Sequence, residues 1–289
     1  MPAVRSGFVA VAGRPNVGKS TLVNALCGGK VAIVSDKPQT TRRRIFGVAH
    51  GDGYQLVLAD LPGFQRPRDA LTEHMQRTVD SSFEDVDAVL FVLDARERIG
   101  AGDRFIAQRV FSLEVPVLIA VNKVDRLKPA HIASQMTGAA KLGDFHALHP
   151  VSAKTGDGVD GLRDELVGLL PEGPAYFPAE QRTDLPEEVQ VAELIREKVL
   201  QLTRDELPHA VTVEVDELGE KLVRANVLVE TESQKQIVIG RGGSVIKEIG
   251  VRARPEIELL LGRHVFLELR VKVRPRWRRD ETLLARLGI

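Results

Sequence analysis

The run GRPNVGKST, Gly13–Thr21, sets Gly13, Gly18, Lys19 and Ser20 at the spacing G-x4-G-K-[ST]. An apolar run, Phe8–Ala12, precedes it, and a helix-compatible segment starts near Lys19. A strand, glycine loop and helix in that order bend backbone N–H groups toward one point. The helix N-terminus adds more unpaired N–H groups. Such a point holds phosphate oxygens. Asn16, Gly18 and Thr21 lie in or beside the loop, Lys19 can neutralise β- and γ-phosphates, and Ser20 can offer a hydroxyl to magnesium. The loop alone does not separate ATP from GTP.

A second group of residues follows in chain order. Asp60 ends an apolar run in LADLPG, where a carboxylate can approach the same metal, and Gly63 can expose a backbone N–H to the γ-phosphate. Between these lies PQTTRRR, where Thr40 or Thr41 can add a hydroxyl. Spacing does not separate the two, and Thr41 is the favoured one. Lys19, Thr41 and Gly63 are thus the candidate catalytic groups, and Ser20, Thr41 and Asp60 the candidate metal ligands. Arg42, Arg43 and Arg44 suit phosphate, RNA or solvent. NKVD, Asn122–Asp125, ends another apolar run. The Asp125 carboxylate can accept from both guanine N1–H and the 2-amino group, a donor pair adenine lacks. Asn122 can tie neighbouring loops, and the stem of Lys123 can cover a base face. SAK, Ser152, Ala153 and Lys154, closes the series, with the Ala153 N–H as candidate donor to guanine O6. No general base is evident. Phe64 stands where a glutamine could position water, Gln65 comes one residue later, and Arg66 and Arg68 are candidate charge stabilisers.

A separate constellation lies far downstream. Ile239–Gly243 reads IGRGG, so Gly240, Arg241, Gly242 and Gly243 form a GxxG loop ahead of a helix from about Ser244. That context suits a KH module, in which the loop lets single-stranded backbone pass closely. Ile239, Val245, Ile246 and Ile249 can frame an apolar groove. From Lys235 to Ile289 there are 13 Lys/Arg against 6 Asp/Glu, although the whole chain carries 40 of each. The neutral total therefore conceals a basic end, with Arg241, Lys247, Lys272 and Arg274 as phosphate contacts. Trp277 can stack on a base or anchor the tail.

These groups need elements to hold them. The runs Phe8–Ala12, Tyr54–Ala59, Ala88–Leu93 and Val117–Val121, with a shorter one around Val151, alternate with helix-compatible stretches near Lys19, 69–82, Asp103, His131 and Val159. Nearly continuous apolar runs predict strands covered on both faces, hence an α/β domain with a mainly parallel sheet over residues 1–172. PEGPAYFPAE carries three prolines and reads as a linker within 173–189. Residues 190–289 read as an α+β unit in the order α-β-β-α-α-β. Its opening helix runs from about Pro186 to Leu202 and its strands are Ala210–Val215, Leu222–Glu230 and Val265–Val273. Ile237–Ile239 is read ahead of the glycine loop, with two helices after it, from Ser244 and from Arg254. A length of 289 residues with 43% hydrophobic and 28% charged residues fits two soluble domains. Cys27 is the single cysteine, which excludes an intrachain disulfide. No signal peptide and no apolar run of membrane-spanning length are evident, so a cytoplasmic location is expected.

Together, GRPNVGKST, PQTTR, DLPG, NKVD, SAK, VAELIREKVLQLTRDELPH at Val191–His209 and VIGRGG at Val238–Gly243 resemble the bacterial Era family of ribosome-associated GTPases, across essentially the whole chain. The resemblance implies a P-loop GTPase domain followed by a type II KH-like RNA-binding domain. It implies GTP/GDP and Mg2+ as ligands, and 16S rRNA of the small ribosomal subunit, near its 3′ region, as partner. A role in subunit maturation and peripheral membrane contact are also implied, and the chain is expected to act as a monomer. Era-like proteins commonly have Thr where this chain has Leu61, and an aliphatic-His pair where it has Phe64-Gln65, which puts the switch details in question. A membrane-surface regulatory GTPase, an RNA-binding protein with little hydrolysis, and a GTPase assisting RNA modification remain the competing readings.

Overall fold

In the computed structural model, described over residues 4–37, 39–64, 67–203 and 207–289, β4 (Ala88–Asp94) and β5 (Val117–Asn122) are buried along their whole length. A strand covered on both faces needs apolar residues at nearly every position, and these two supply them. The chain divides into two compact units. The first comprises Met1–Ala32, Thr41–Arg66 and Met75–Asp184, and the second Ile33–Thr40, Pro67–His74 and Leu185–Ile289.

The first unit is built on a sheet in the order β2-β3-β1-β4-β5-β6, with β1 Val4–Ala12, β2 Ile45–Gly51, β3 Tyr54–Asp60 and β6 Ala147–Val151. A two-residue β7, Glu172–Gly173, pairs with the start of β1. Strands β1, β3, β4, β5 and β6 are mutually parallel, while β2 runs antiparallel to β3. Alternate residues serve opposite faces, as a period of two demands. Val9, Val11, Leu58, Leu90, Val92 and Leu118 pack against α1 (Lys19–Leu26) and α5 (Val159–Leu169) through Leu22, Leu162 and Leu166. Ala10, Phe91, Ile119 and Val121 pack on the other side against Ile106 and Val110 of α3 (Ala101–Val110). Helices α2 (Ala70–Ser81) and α4 (Pro129–Ala139) complete the series of helices up to Leu169.

Two features differ from the sequence expectation. The edge strand β2 is additional, because IFGVAHG is broken by Gly47 and ends in His-Gly, which hides its alternation. The expected linker is also used differently, for residues 173–184 fold with the first unit. Gln55 accepts from the Tyr176 and Phe177 N–H groups at 2.7 and 3.0 Å, and the Tyr176 ring meets Phe8 edge-on at 4.7 Å. Val48 N–H donates to Arg182 C=O at 2.8 Å, Phe46 N–H to the Asp184 carboxylate at 2.9 Å, and Thr183 bridges Gly47. Prolines left these residues without periodicity, yet side chains and carbonyls still tie them down.

The second unit opens with α6 (Glu187–Leu202) and α7 (Leu207–Ala210). A sheet ordered β10-β9-β8 follows, from β8 (Thr212–Leu218), β9 (Leu222–Val229) and β10 (Phe266–Val273). Val223, Ala225, Val227 and Val229 of β9 form a buried stripe against Val191, Ile195 and Val199 of α6 and Ile249, Ala253 and Ile257 of α9 (Ser244–Leu261). Two helices stand between β9 and β10, but they are not the two expected. Ile237–Ile239 ends α8 (Glu232–Ile239), which starts at a Thr231/Gln234 capping box, and α9 is one helix, Ser244–Leu261, continuing through Pro255. The missing Pro255 N–H leaves the Val251 carbonyl without its helical donor. Val251 is exposed, so water can serve that carbonyl and the helix is not broken. The GxxG loop therefore lies between two helices. No helix among the described residues is long and apolar enough to cross a membrane.

Trp277 is fully buried, and its indole N–H donates to Ala210 C=O at 2.8 Å, which resolves its role as an anchor of the tail. Behind it α10 (Glu281–Leu287) buries Leu283, Leu284 and Leu287 after an Asp280 cap. Trp277→Ala should destabilise the second unit by about 3–5 kcal/mol through lost packing. Trp277→Phe should cost about 1–3 kcal/mol through the unpaired carbonyl. Denaturant unfolding followed by circular dichroism measures both, and a Trp277→Phe midpoint equal to that of the unmodified protein would contradict the hydrogen-bond role.

Candidate functional site

The first unit delivers its chemistry at the C-terminal ends of parallel strands, where loops from neighbouring strands converge. The phosphate loop joins β1 to α1. Gly18 takes φ 100°, and a side chain there would collide with the Asn122 amide, so only glycine fits this close approach. Lys19, 7% exposed, folds back to donate to the Gly13 and Arg14 carbonyls at 3.1 and 3.0 Å. Burial pulls its pKa down to about 8, against the opposing charge of Asp60. Gly63 lies against Pro15 of the same loop.

The three expected metal ligands meet. Ser20 Oγ donates to Asp60 Oδ2 at 2.6 Å and lies 3.0 Å from Thr41 Oγ1, which also reaches Asp60 Oδ2 at 3.2 Å. Thr40 instead donates its hydroxyl to Lys37 C=O, so Thr41 is the threonine present at this cluster. Asp60 is completely buried, burial pushes its pKa up, and its Oδ1 has no hydrogen-bond partner. An orphaned buried carboxylate oxygen beside two hydroxyls is a donor set for a hard divalent cation. Magnesium in particular is commonly held through one carboxylate, with phosphates and water completing the shell. Among the described residues no cluster of three or more His, Cys, Asp or Glu competes for that role.

On the base side, Asn122 stitches three loops together. Its amide donates to Val17 C=O at 2.9 Å, and its Oδ1 accepts from the Lys123 and Ala153 N–H groups at 2.8 and 3.0 Å. The Ala153 N–H was expected to face guanine O6, but here it is turned to Asn122, because the buried Oδ1 draws the nearest amide. Ser152 Oγ donates to Asp125 Oδ1 at 2.9 Å and so orients that carboxylate. Lys123 takes φ 72°, its stem passes beside Gly18, and its ammonium pairs with Asp94 at 2.7 Å and with the Asn16 carbonyl. Lys154 is exposed, and Thr21 follows Ser20 in α1.

Asp94 is a residue the sequence reading passed over. It ends β4 as Asp60 ends β3, and that position was the available signal. Arg96 grips it with Nε at 3.0 Å and Nη2 at 2.8 Å. Burial alone would raise the Asp94 pKa, but the hydrogen bonds from Arg96 and Lys123 outweigh it and hold the carboxyl below its usual value. Phe64 is buried and stacks on Phe83 at 6.0 Å, so it lies in the core rather than beside phosphate. Gln65 and Arg66 lie outside the described residues. Arg68 is exposed, as is Arg44, whose guanidinium covers the Phe46 ring, while Arg42 is buried.

In the second unit Gly240, Gly242 and Gly243 have φ of 73°, 61° and 80°. A side chain on Gly240 would strike Val245 of α9, which fixes the sharp turn as a glycine position. Arg241 and Lys247 are exposed, and Ile239, Val245 and Ile246 are half-buried, whereas Ile249 is wholly core. Lys272 and Arg274 are exposed but engaged with Asp216 at 3.7 Å and Asp280 at 2.8 Å, so phosphate would have to compete for them.

The family model described as 50S ribosome-binding GTPase matches residues 8–123, and the KH domain model matches residues 206–278. GTPase Era of Lactobacillus helveticus is 47% identical over 289 residues, spanning 98% of this chain and 96% of that protein. GTPase Era of Heliobacterium modesticaldum is 45% identical over 293 residues, spanning 100% and 98%. A crystal structure of a variant of Aquifex aeolicus Era bound to GDP and AlF4− superposes with a TM-score of 0.95 at 38% identity, over 99% of each chain. A structure of Era in complex with MgGDPNP and nucleotides 1506–1542 of 16S ribosomal RNA superposes with a TM-score of 0.93, again at 38% identity over 99% of each chain.

Lys19 is buried before nucleotide arrives. Its pKa near 8 in the free protein leaves it largely neutral above that pH. A bound phosphate restores the charge, so nucleotide binding should take up close to one proton near pH 9 and almost none near pH 6. Calorimetry in buffers of differing ionisation enthalpy reads this uptake. It should vanish in Lys19→Met, and uptake that does not change with pH would refute the assignment.

Proposed function

Because this chain belongs to the Era family of GTPases, we propose that it hydrolyses GTP to GDP and phosphate with magnesium, and that bound nucleotide controls its hold on 16S rRNA during small-subunit maturation. The observation that carries this reading is the meeting of Ser20, Thr41 and Asp60 around one orphaned carboxylate oxygen. Those three residues would hold magnesium, which neutralises phosphate charge when bound. Gly18 and its neighbours wrap the phosphates with N–H groups, and Lys19 moves from the Gly13 and Arg14 carbonyls to the phosphate oxygens. Asp125, oriented by Ser152, accepts the guanine donors. Thr41 and the Asp60–Gly63 loop answer to the γ-phosphate and reset when it leaves.

The RNA half of the reading is supported by the GxxG turn with its exposed Arg241, the basic end of the chain, and the related Era structure that holds 16S ribosomal RNA. Residues 33–40 and 67–74 are neighbours in sequence of Thr41 and of the Asp60–Gly63 loop, and both stretches fold with the second unit. That supports coupling between nucleotide state and RNA affinity. The reading extends to a cytoplasmic monomer, with peripheral contact at the inner membrane face through the same basic end.

RNA affinity should differ at least about fivefold between protein loaded with a nonhydrolysable GTP analogue and with GDP, the size of an ordinary coupling. Fluorescence anisotropy on a 3′-terminal 16S fragment measures it, and equal affinities would count against nucleotide control. Asp125→Asn should weaken GDP binding by about a hundredfold or more, while xanthosine diphosphate, whose C2 carbonyl meets the new amide donor, should gain. Unchanged base preference would remove Asp125 from the role of guanine reader.

A further inference from the structure

Lys123 and Asp125 stand two residues apart at the end of β5, and their chemistries conflict. An ammonium paired with Asp125 would be a charged donor, stronger than the neutral N–H groups of a guanine edge. In this fold the ammonium is taken elsewhere. The left-handed backbone of Lys123 sends its stem past Gly18, and Nζ ends on Asp94 Oδ2 at 2.7 Å and on the Asn16 carbonyl. Asp94 is 3% exposed in its side chain and is itself fixed by the two-pronged contact from Arg96. The Asp125 carboxylate accepts from Ser152 Oγ and lies 3.8 Å from Arg126 Nε, a distance beyond a hydrogen bond.

We infer that Asp94 is a specificity-determining positioning residue, which sequesters the Lys123 ammonium so that the Asp125 carboxylate is left to guanine N1–H and the 2-amino group. Asp94 touches no base itself. It acts through Lys123, and Arg96 acts through Asp94 by locking its carboxylate plane. This rests on Asp125 being the guanine reader. Without Asp94 the Lys123 ammonium loses its buried counter-charge and is released toward Asp125, two residues on in the same turn. Guanine then loses two acceptor bonds, whereas hypoxanthine, which has N1–H but no 2-amino group, loses one. Base selectivity narrows along with affinity.

The test uses the full chain and compares GDP with inosine diphosphate by calorimetry. Asp94→Asn, close to isosteric, should weaken GDP about tenfold and narrow the GDP-to-inosine-diphosphate ratio at least about threefold. Adding Lys123→Met to Asp94→Asn should restore the ratio, because no ammonium is left to compete, although affinity stays low. Asp94→Glu should keep the ratio near that of the unmodified protein. If Asp94→Asn does not fold, Asp94→Ser reads the same two quantities. A purely structural role would lower both affinities in parallel, and an unchanged ratio would overturn the inference. So would a double variant whose ratio stays narrowed. If Asp125→Asn leaves base preference untouched, the failure belongs to the guanine-reader assignment instead.

Discussion

A carboxylate removed from water is costly unless something positive or donating meets it, and Asp60 is met on one side only. Ser20 and Thr41 satisfy Oδ2, and Oδ1 is left bare. Much of the first unit can be understood as the frame that keeps this arrangement in place. Parallel pairing of β1 with β3 in register, Val11 against Asp60, sets the acid beside the loop that leads to Ser20. Apolar layers on both faces of the sheet keep the strand ends from drifting. Burial also explains why Lys19 loses basicity nearby: two opposite charges in one dry pocket each pay desolvation, and their mutual attraction returns only part of it. The free site is thus poised for ligands that bring both a cation and an anion.

The two units use glycine loops for related ends. At Gly18 the absent side chain lets a loop approach Asn122, and at Gly240 it lets a turn close onto Val245. In each case a helix follows directly, so backbone N–H groups gather where a phosphate would lie. The surroundings differ. The first loop is walled in by buried residues and suits one compact ligand. The second carries exposed Arg241 and Lys247 and suits a passing chain.

The motif-bearing residues were legible because their chemistry fixes both type and spacing. A loop of the form in Gly13–Ser20 and a strand ending in NKVD leave little freedom, and the strands around them announce themselves by unbroken apolar runs. Legibility failed where a residue acts through a distant partner. Asp94 is one acid among many until Lys123 is seen to fold back on it, a contact set by the left-handed turn at Lys123 that no local pattern encodes. The choice between Thr40 and Thr41 is similar, since only the path of the chain decides which hydroxyl reaches Asp60. The two helices expected from Ser244 and Arg254 are one, because an exposed carbonyl one turn before Pro255 makes that proline harmless. The resemblance to a known family named the partner, which spacing and composition did not.

The crossing of residues 182–184 over β2 has a practical side. That strand ends the sheet, and Arg182, Thr183 and Asp184 are what occupies its outer amides and carbonyls. A GTPase half trimmed at residue 172, where the sequence suggests a boundary, would leave a bare ribbon of backbone donors and acceptors open to pairing with another molecule. Such a fragment would clump more readily than one ending after Asp184.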